Sequence, residues 1–268
     1  MNTDEIMQLA LTMAGQTEVP PDSGIWVPGE GIRRVLMAVD LDTPELLLAR
    51  LQGYDAAIAH HPPKPGGLPP AMYQRHVDLM TAAGVPAAEA EAAVADRLAA
   101  LHRAHHAANS GHSPAVARLL GLPYLNIHNP LDEVGRRRLQ AVADEGDRPD
   151  RTLAELLAAL RRLPELDRAQ GGPEVAVGDP AAPAGRVVVV HAAGTNGGYE
   201  VASAYYRAGV GTVVYIHADA ASVARLRREG RGQLVVSGHI GSDLVGIHPF
   251  ADALRTAGLT VDVLEDLA

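Results

Sequence analysis

A chain of 268 residues, 47% of them hydrophobic and 21% charged, can bury a sizeable core in one large or two modest domains. Its net charge of −9 argues against a surface for nucleic acid or anionic membranes, and no stretch approaches the roughly 18 apolar residues of a membrane span. Cysteine is absent, which excludes disulfides and thiolate-bound metals, so any metal must be held by histidine and carboxylate. The first ten residues are acidic and do not resemble a secretory signal, and we expect a cytoplasmic protein.

The amino-terminal part of the sequence predicts a βαβ unit after a short helix. The predicted elements are, in order, a helix over 3–15, a connection over 24–31, a strand over 35–39, a helix over 45–51 capped by Thr43-Pro44, and a strand over 55–59. Short continuous apolar runs bounded by turn residues are typical of buried parallel strands. A right-handed crossover makes the two strands parallel and brings Asp40 and the pair His60-His61 to one edge of the sheet.

The rest of the sequence alternates helices and strands after a long helical stretch. That stretch covers residues 71–108, with a break at 84–86. The further predicted elements are helices over 113–120, 152–160, 199–207, 220–228 and 248–256, and strands over 124–127, 186–190, 211–216, 233–236 and 259–264. A polar linker over 144–150 indicates a domain boundary near residue 150.

These elements predict an α/β fold in which mostly parallel sheets are covered by helices. We expect two βαβ-style lobes, residues 1–150 and residues 151–268, with a metal cleft between them. The helical stretch at about 71–108 is an insertion in the first lobe. The two lobes are expected to pack as one compact unit.

The dipeptide His60-His61 stands where the strand over 55–59 ends and a turn-forming stretch over 62–67 begins. Open α/β sheets hold their ligands at the carboxyl ends of the strands, so two histidines at this place are candidate metal ligands. Taken alone, the pair is equally consistent with two loop histidines that have no role.

Two further predicted strands end in potential ligands that share the spacing His-x-x-x-Asp. His128 and Asp132 follow one strand, and His239 and Asp243 follow another. Residues four apart lie on one face of a helical turn, so an imidazole and a carboxylate can meet at one point. Histidines mixed with carboxylates suit Zn, Mn or Fe(II) better than Ca or Mg. Together with the histidine pair, these ligands are too many for one open site and fit two metal ions about 3.5–4 Å apart.

Three phrases of the sequence resemble the metal-binding signatures of the Nif-three-like family, which is also named type 2 GTP cyclohydrolase I. They are DAAIAHHP at 55–62, NIHNPLD at 126–132 and VSGHIGSDLVG at 236–246. The resemblance spans nearly the whole chain and implies a toroidal homo-oligomer, typically a hexamer, with a dinuclear centre of divalent metal ions in the cleft of each subunit. Carried over position by position, it assigns the metal ligands to His60, His61, Asp132, His239 and Asp243.

The sequence departs from the family pattern in three places. Many members have glutamate where this chain has Asp243, which is one methylene shorter. The family often has a Thr-Gly-Glu phrase where this chain has His217-Ala-Asp219, so a different group lines that part of the cleft. The stretch over 71–108 is longer than compact members need, and we interpret it as an added helical hairpin that covers the cleft or extends a subunit contact.

A second histidine cluster competes with the phrase that contains His128 and Asp132. It comprises His102, His105 and His106, of which the first and last have helical i, i+4 spacing. We prefer His128 and Asp132 because a strand precedes them and a carboxylate is supplied, and we interpret the cluster as a solvated helix face. The remaining histidines are interpreted as surface or helix-cap residues: His76, His112 and His248.

The glycine-rich loop over 192–198 lies between a predicted strand and a predicted helix. Such a loop can present backbone N–H groups to an anion. It lacks the Lys-Ser/Thr of a P-loop and a full G-x-G-x-x-G, so a tight turn without a ligand explains it equally well.

The leading hypothesis for function is a dinuclear metal-dependent hydrolase that acts on a nucleotide-like or other heterocyclic small molecule, with His128 and His217 as candidates for proton transfer. The GTP cyclohydrolase activity in the family's name rests on resemblance alone. The alternative is a non-catalytic metal-binding scaffold or metal-handling ring protein. A third interpretation, histidines without a common role in a generic α/β protein, needs three coincidences.

Overall fold

The computed structural model describes residues 1–63, 69–146 and 148–267. Residues 64–67 of the turn-forming stretch and residue 147 of the polar linker therefore lie outside the described part of the chain. Helices α1 to α12 span Thr3–Ala14, Thr43–Leu51, Pro70–Tyr73, Arg75–Ala82, Ala87–His105, His112–Leu120, Asn129–Asp144, Leu153–Leu160, Pro164–Arg168, Gly198–Arg207, Ala220–Glu229 and His239–Thr256. Strands β1 to β9 span Gly24–Val27, Arg34–Ala38, Ala56–Ala59, Tyr124–Asn126, Glu174–Val177, Val187–Val190, Thr212–Tyr215, Gln233–Val236 and Thr260–Val263.

Residue contacts divide the chain into two compact units. The first unit comprises Met1–Met72, Ala100–Val134 and Gly246–Ala268, and the second comprises Tyr73–Ala99 and Gly135–Val245. Neither unit is continuous in sequence, because the chain passes from one to the other at four places. Residue 150, where the sequence indicates a boundary, lies inside the second unit.

The first unit contains a five-stranded sheet in the order β1-β4-β3-β2-β9. Strand β2 pairs in parallel with both β3 and β9, and β3 pairs in parallel with β4. The predicted βαβ unit is confirmed by β2, α2 and β3, whose strands are almost wholly buried, as their continuous apolar runs require. A capping box on Asp42 starts α2 and satisfies backbone N–H groups of its first turn.

The prediction that residues 24–31 form a connection is wrong for their first half, because Gly24–Val27 form β1. This strand is half-buried, lies at the edge of the sheet and pairs antiparallel with β4, with Gly24 opposite Asn126. Its pairing is long-range, and a run of three apolar residues between Gly24 and Pro28 is too short to show the alternating pattern that predicts a half-buried strand. Since β1 runs against its neighbour, its amino end lies beside the carboxyl ends of the parallel strands.

The second unit contains a four-stranded sheet in the order β5-β8-β7-β6. Strands β6, β7 and β8 are parallel, and β5 is antiparallel to β8. The first unit shows the same arrangement in β1-β4-β3-β2, to which β9 is added. Each unit thus contains three parallel strands followed in the sheet by an antiparallel edge strand, and the first unit has β9 as a fourth parallel strand.

Helices complete both units and confirm the predicted α/β class with mostly parallel sheets covered by helices. The capping box of Thr152 and Glu155 starts α8 as predicted. Helix α12 begins at His239, so the prediction that it begins at 248 is wrong at its amino end; Gly241, Gly246 and Pro249 are poor helix formers that tertiary packing overrides. Among the described residues no helix is long and apolar enough to cross a membrane.

Candidate metal-binding site

Three imidazole rings meet at the carboxyl edge of the first unit's sheet. His60 and His61 directly follow β3, and His128 follows β4, the parallel neighbour of β3. Ring centroids are 5.2 Å apart for His60 and His61, 4.9 Å for His60 and His128, and 5.4 Å for His61 and His128. One ring nitrogen of each histidine lies within 4.8 Å of one from each of the others. Parallel pairing of β3 with β4 therefore creates a cluster of three histidines.

An oxygen atom faces Nδ1 of each of these rings. The pairs are His60 with the carbonyl oxygen of Ile127 at 3.1 Å, His61 with Oδ1 of Asp40 at 2.8 Å, and His128 with Oδ2 of Asp22 at 2.7 Å. A carbonyl or carboxylate oxygen only accepts, so each Nδ1 donates its hydrogen and each neutral ring carries its lone pair on Nε2. Proteins orient metal-ligating histidines with such acceptors.

Asp132 adds a carboxylate to the same cluster. It lies in the first turn of α7, four residues after His128, and is buried. Its Oδ1 is 3.1 Å from Nε2 of His60, and its Oδ2 is 3.6 Å from Nε2 of His128. We name His60, His61, His128 and Asp132 the first His/Asp group.

The charges around this group favour a cation. Burial by itself lowers the pKa of His128, but the negative charges of Asp132 and Asp22 outweigh burial and raise that pKa to about 9. Two buried carboxylates thus require a positive charge among the imidazoles, which either a proton or a metal ion supplies.

A divalent metal ion fits the donors of the first His/Asp group. Nitrogen and oxygen ligands lie about 2.0–2.2 Å from such an ion, which places two ligands of one ion about 3.0–3.5 Å from each other. The Asp132 oxygens lie 3.1 Å and 3.6 Å from Nε2 of His60 and His128, close to that spacing. Imidazole and carboxylate together suit Zn, Mn or Fe(II). The buried cluster can therefore hold a metal ion.

A second His/Asp group lies at the carboxyl edge of the second unit's sheet and consists of His191, His239 and Asp243. In the first turns of α12, Nε2 of His239 lies 3.4 Å from Oδ2 of Asp243. His191 follows β6, and its Nε2 lies 4.0 Å from Oδ1 of Asp243. Gly238 permits this arrangement, since its φ is 95° and a Cβ there would come 2.6 Å from the carbonyl oxygen of Gly171.

The two groups arise at equivalent places in the repeated topology. In each unit a His-x-x-x-Asp sequence follows the parallel strand that pairs with the antiparallel edge strand, β4 or β8, and leads into a helix, α7 in one and α12 in the other. Ala59 pairs with the last residue of β2, and Tyr215 pairs with the last residue of β6, so the residues two positions later correspond. The corresponding residues are His128 with His239, Asp132 with Asp243, and His61 with His217.

His217 lies beside the second His/Asp group, with its ring centroid 5.0 Å from that of His239. Its Nδ1 is 2.9 Å from Nδ2 of Asn196. Burial lowers the pKa of His217, and the neighbouring His239 lowers it further. The ring is therefore neutral near pH 7.

The structure places every site residue predicted from the sequence in one of these two clusters. His60, His61, His128 and Asp132 come together in the first unit. His217, His239 and Asp243 come together in the second.

Sequence reasoning missed Asp22 and His191. Asp22 precedes β1, where the sequence predicts a connection, and no local pattern indicates that its carboxylate reaches His128. His191 directly follows a strand that was predicted, so the signal that singled out His60 was available for it as well.

The other histidines lie away from both groups. His102, His105 and His106 are exposed at the end of α5 and after it, in agreement with a solvated helix face. The prediction that His76 is a surface or cap residue is wrong, because it is fully buried and its Nε2 donates to the carbonyl oxygen of Thr195 at 2.9 Å. Its helix, α4, packs on α10, and this tertiary contact has no signature in the local sequence.

The chain resembles proteins of known structure, whereas no protein-family model and no curated protein matches it. A NIF3 superfamily protein from Sphaerobacter thermophilus is 45% identical to it, with a TM-score of 0.94 and coverage of 98% of each chain. Reduced HcgD from Methanocaldococcus jannaschii is 14% identical, with a TM-score of 0.62 and coverage of 98% of each chain. Protein ybgI, of unknown function, is 18% identical, with a TM-score of 0.58 and the same coverage.

The two distant matches show a shared fold, whereas the protein from Sphaerobacter thermophilus is similar enough in sequence to show the family. Its 45% identity extends over 98% of both chains and confirms the resemblance inferred from the three histidine-containing phrases. The chain belongs to the NIF3 superfamily.

Proposed function

We propose that this protein binds divalent metal ions and uses them to hydrolyse a nucleotide-like or other heterocyclic small molecule. One observation carries the proposal: three rings whose Nδ1 atoms face oxygen acceptors converge beside a buried carboxylate at ligand spacing. Zn, Mn and Fe(II) are the ions that suit these donors.

The proposal assigns His128 to the metal ligands rather than to proton transfer. Asp22 holds Nδ1 of His128 as Asp40 holds Nδ1 of His61, so each ring, when neutral, presents a lone pair on Nε2. Because the pKa of His128 is raised to about 9, a metal ion displaces a proton from this ring when it binds near pH 7. A second ion, of the two that the family resemblance implies, is proposed for His191, His239 and Asp243, whose histidine nitrogens lie 4.0 Å and 3.4 Å from the carboxylate.

A divalent ion in such a site supplies a Lewis acid for hydrolysis. The residues of the chain supply the remaining functions. Asp22 and Asp40 keep the imidazole rings in the tautomer that leaves Nε2 free of hydrogen. His217, which is neutral near pH 7, contacts the substrate or transfers a proton.

The alternative function is a metal-binding scaffold or metal-handling protein without catalysis. The deep burial of His60 and Asp132 favours it, because closed ligand shells are typical of structural sites. The half-buried His61 favours catalysis, since an accessible ligand leaves room for substrate.

Metal content tests the binding proposal. Elemental analysis of protein purified without chelator is compared among the wild type, His61→Ala, Asp132→Ala and the control His102→Ala, which removes an exposed histidine of the same unit. The first two substitutions are expected to remove about one ion per chain, and the control none. Equal metal content in all four proteins would refute the proposal.

Turnover separates the hydrolase from the scaffold. Nucleotides, cyclic amides and phosphoesters are incubated with protein loaded with Zn, Mn or Fe(II). Hydrolysis that disappears in His61→Ala and persists in His102→Ala supports the enzyme. Stoichiometric metal binding without turnover of any of these compounds supports the scaffold.

The hexameric ring that the resemblance implies is part of the proposal. Light scattering at micromolar concentration is expected to give a mass close to six chains. A monomeric mass contradicts the ring.

A further inference from the structure

A chain of hydrogen bonds determines which nitrogen of His217 carries its hydrogen. The backbone N–H of Gly198 donates to Oδ1 of Asn196 at 2.9 Å, which fixes the orientation of that amide. The Asn196 Nδ2 group therefore faces Nδ1 of His217 at 2.9 Å. An amide nitrogen only donates, so Nδ1 accepts and the hydrogen of the neutral ring is on Nε2.

This tautomer is the opposite of the one that the first unit imposes at the corresponding position. His61 donates from Nδ1 to the Asp40 carboxylate and keeps a lone pair on Nε2. His217 accepts at Nδ1 and presents a hydrogen at Nε2. A ring of this kind offers a hydrogen bond to an oxygen atom and offers no lone pair to a metal ion.

The loop that carries Asn196 is held by three buried side chains of the second unit. His76 donates to the carbonyl oxygen of Thr195 at 2.9 Å, Tyr73 to that of Gly197 at 3.3 Å and Tyr215 to that of Gly198 at 2.9 Å. Buried hydrogen bonds of this number restrict the loop to one conformation. Asn196 is thus positioned before any ligand arrives.

A cavity of about 420 Å³ lies over this loop, within the second unit. Its lining includes His217 and Arg97, and among the described lining residues Arg97 is the one side chain with a permanent positive charge. Of the acidic side chains in the lining, Glu200 is paired with Arg225 at 2.6 Å and Asp219 caps α11 through Ser222. Asp96 lines the same cavity next to Arg97 on α5, and its negative charge opposes the binding of an anion there.

We propose that this cavity binds the oxyanion of a small molecule, a phosphate or carboxylate group, with the Nε2–H of His217 and the guanidinium of Arg97 as its donors. The volume suits a small ligand. That this ligand is the substrate rests on the proposed function, whereas the tautomer and the binding of an oxyanion do not.

Nuclear magnetic resonance of histidine side chains tests the tautomer. Protein labelled with ¹⁵N and ¹³C is studied both loaded with zinc and treated with chelator, and His217→Ala assigns the signals. Wild-type His217 is expected to be the Nε2–H tautomer at pH 7.5. In Asn196→Asp, a carboxylate that accepts from Nδ1 is expected to convert His217 to the Nδ1–H tautomer. An Nδ1–H tautomer or a doubly protonated ring in the wild type overturns the proposal.

Calorimetric titration with inorganic phosphate tests the oxyanion site on the same samples. Arg97→Ala and His217→Ala are each expected to weaken binding at least tenfold, and Arg97→Lys by less, because lysine keeps the charge without the planar donors. Asp96→Asn is expected to bind phosphate more tightly. Phosphate affinity that is undetectable in the wild type, or unchanged in both alanine variants, overturns the proposal. Metal content measured in parallel distinguishes that failure from a failure of the proposed function.

Discussion

The atom that faces Nδ1 decides what each histidine of this protein can do. Carboxylates of Asp40 and Asp22 leave His61 and His128 with a lone pair on Nε2, and the amide of Asn196 leaves His217 with a hydrogen there. The sequence predicts that Asp40 lies at the same sheet edge as His61, but it does not indicate that Asp22 faces His128 or that Asn196 faces His217, partners that lie 106 and 21 residues away. The sequence therefore predicts which histidines lie at the site, but not which ring nitrogen of each histidine carries the hydrogen.

Asp22→Asn is expected to lower the affinity for Zn²⁺ about 10- to 100-fold while the fold is retained. Asparagine can still accept from Nδ1 of His128, but without a negative charge it makes the ring a weaker ligand. Titration against a chromophoric chelator measures the change. Asp262→Asn, which alters the acceptor of Tyr54 in the same unit, is the control and should bind as the wild type does. Equal affinities for the wild type and Asp22→Asn would show that this contact does not tune the site.

Acidification is expected to destabilise the protein through His76. Burial, the dominant effect, lowers its pKa from 6.5 to about 4 in the folded state. As the pH falls below 6.5, the His76 imidazole takes up a proton in the unfolded chain but stays neutral in the folded chain. The free energy of unfolding therefore decreases until about pH 4. Between pH 7 and pH 5 the loss is about 2 kcal/mol.

Urea unfolding at several pH values checks this expectation. His76→Gln keeps a donor for the Thr195 carbonyl oxygen and removes the titrating group, so its stability should fall by about 2 kcal/mol less than that of the wild type over this range. Parallel pH profiles for the two proteins would contradict a buried, neutral His76.

At the scale of elements, the protein repeats one arrangement of four strands. β1-β4-β3-β2 and β5-β8-β7-β6 have the same directions, and each ends with a His-x-x-x-Asp sequence at the start of a helix. The common spacing was visible in the sequence. The repeated sheet topology was not, because it depends on pairing between strands that are distant in sequence, and the antiparallel strands β1 and β5 were not predicted.

The edge strand β6 is covered by the side chain of Gln140 in α7. Its Oε1 accepts from the backbone N–H of Val189 at 2.8 Å, and its Nε2 donates to the carbonyl oxygen of Val187 at 3.2 Å. The amide thus occupies the groups through which another strand would pair.

Gln140→Met is expected to lower the free energy of unfolding by about 1–2 kcal/mol and to cause association that increases with protein concentration. Methionine keeps the length of the side chain but lacks the amide that forms the two hydrogen bonds to the backbone of β6. Denaturant unfolding and sedimentation velocity measure the two effects. Gln8→Met, at an exposed position of α1, should show neither. If Gln140→Met is as stable and as monodisperse as Gln8→Met, Gln140 does not protect the edge of β6.

At the scale of the whole molecule, the chain builds two units that are each discontinuous in sequence. Strand β9, from the carboxyl end, pairs with β2 in the first unit, and Tyr73–Ala99 belong to the second unit although they precede residue 150. Contacts of this separation in sequence leave no compositional mark at the points where the chain changes units.

Expression of residues 1–150 alone distinguishes lobes that divide at residue 150 from the two discontinuous units. We expect this fragment not to fold cooperatively, because it lacks β9, the four strands β5 to β8 and nine of the eleven buried residues in the core of the second sheet, including Leu153 and Val214. The measurement compares amide NMR spectra of residues 1–150 alone with amide NMR spectra of the whole chain. A cooperatively folded fragment with dispersed signals would support independent lobes divided at residue 150.

The sequence by itself determined the α/β class, the family, most of the parallel strands and the residue types that can bind metal. These depend on local periodicity, on turn residues and on short phrases, all of which are read from neighbouring positions. Only the tertiary structure decided that Asp22 holds His128, that His191 joins Asp243, that His76 is buried and that Asn196 sets the tautomer of His217. Each of these depends on strand pairing or helix packing between distant segments, where the free energy lies in contacts and not in the preferences of any one stretch of chain.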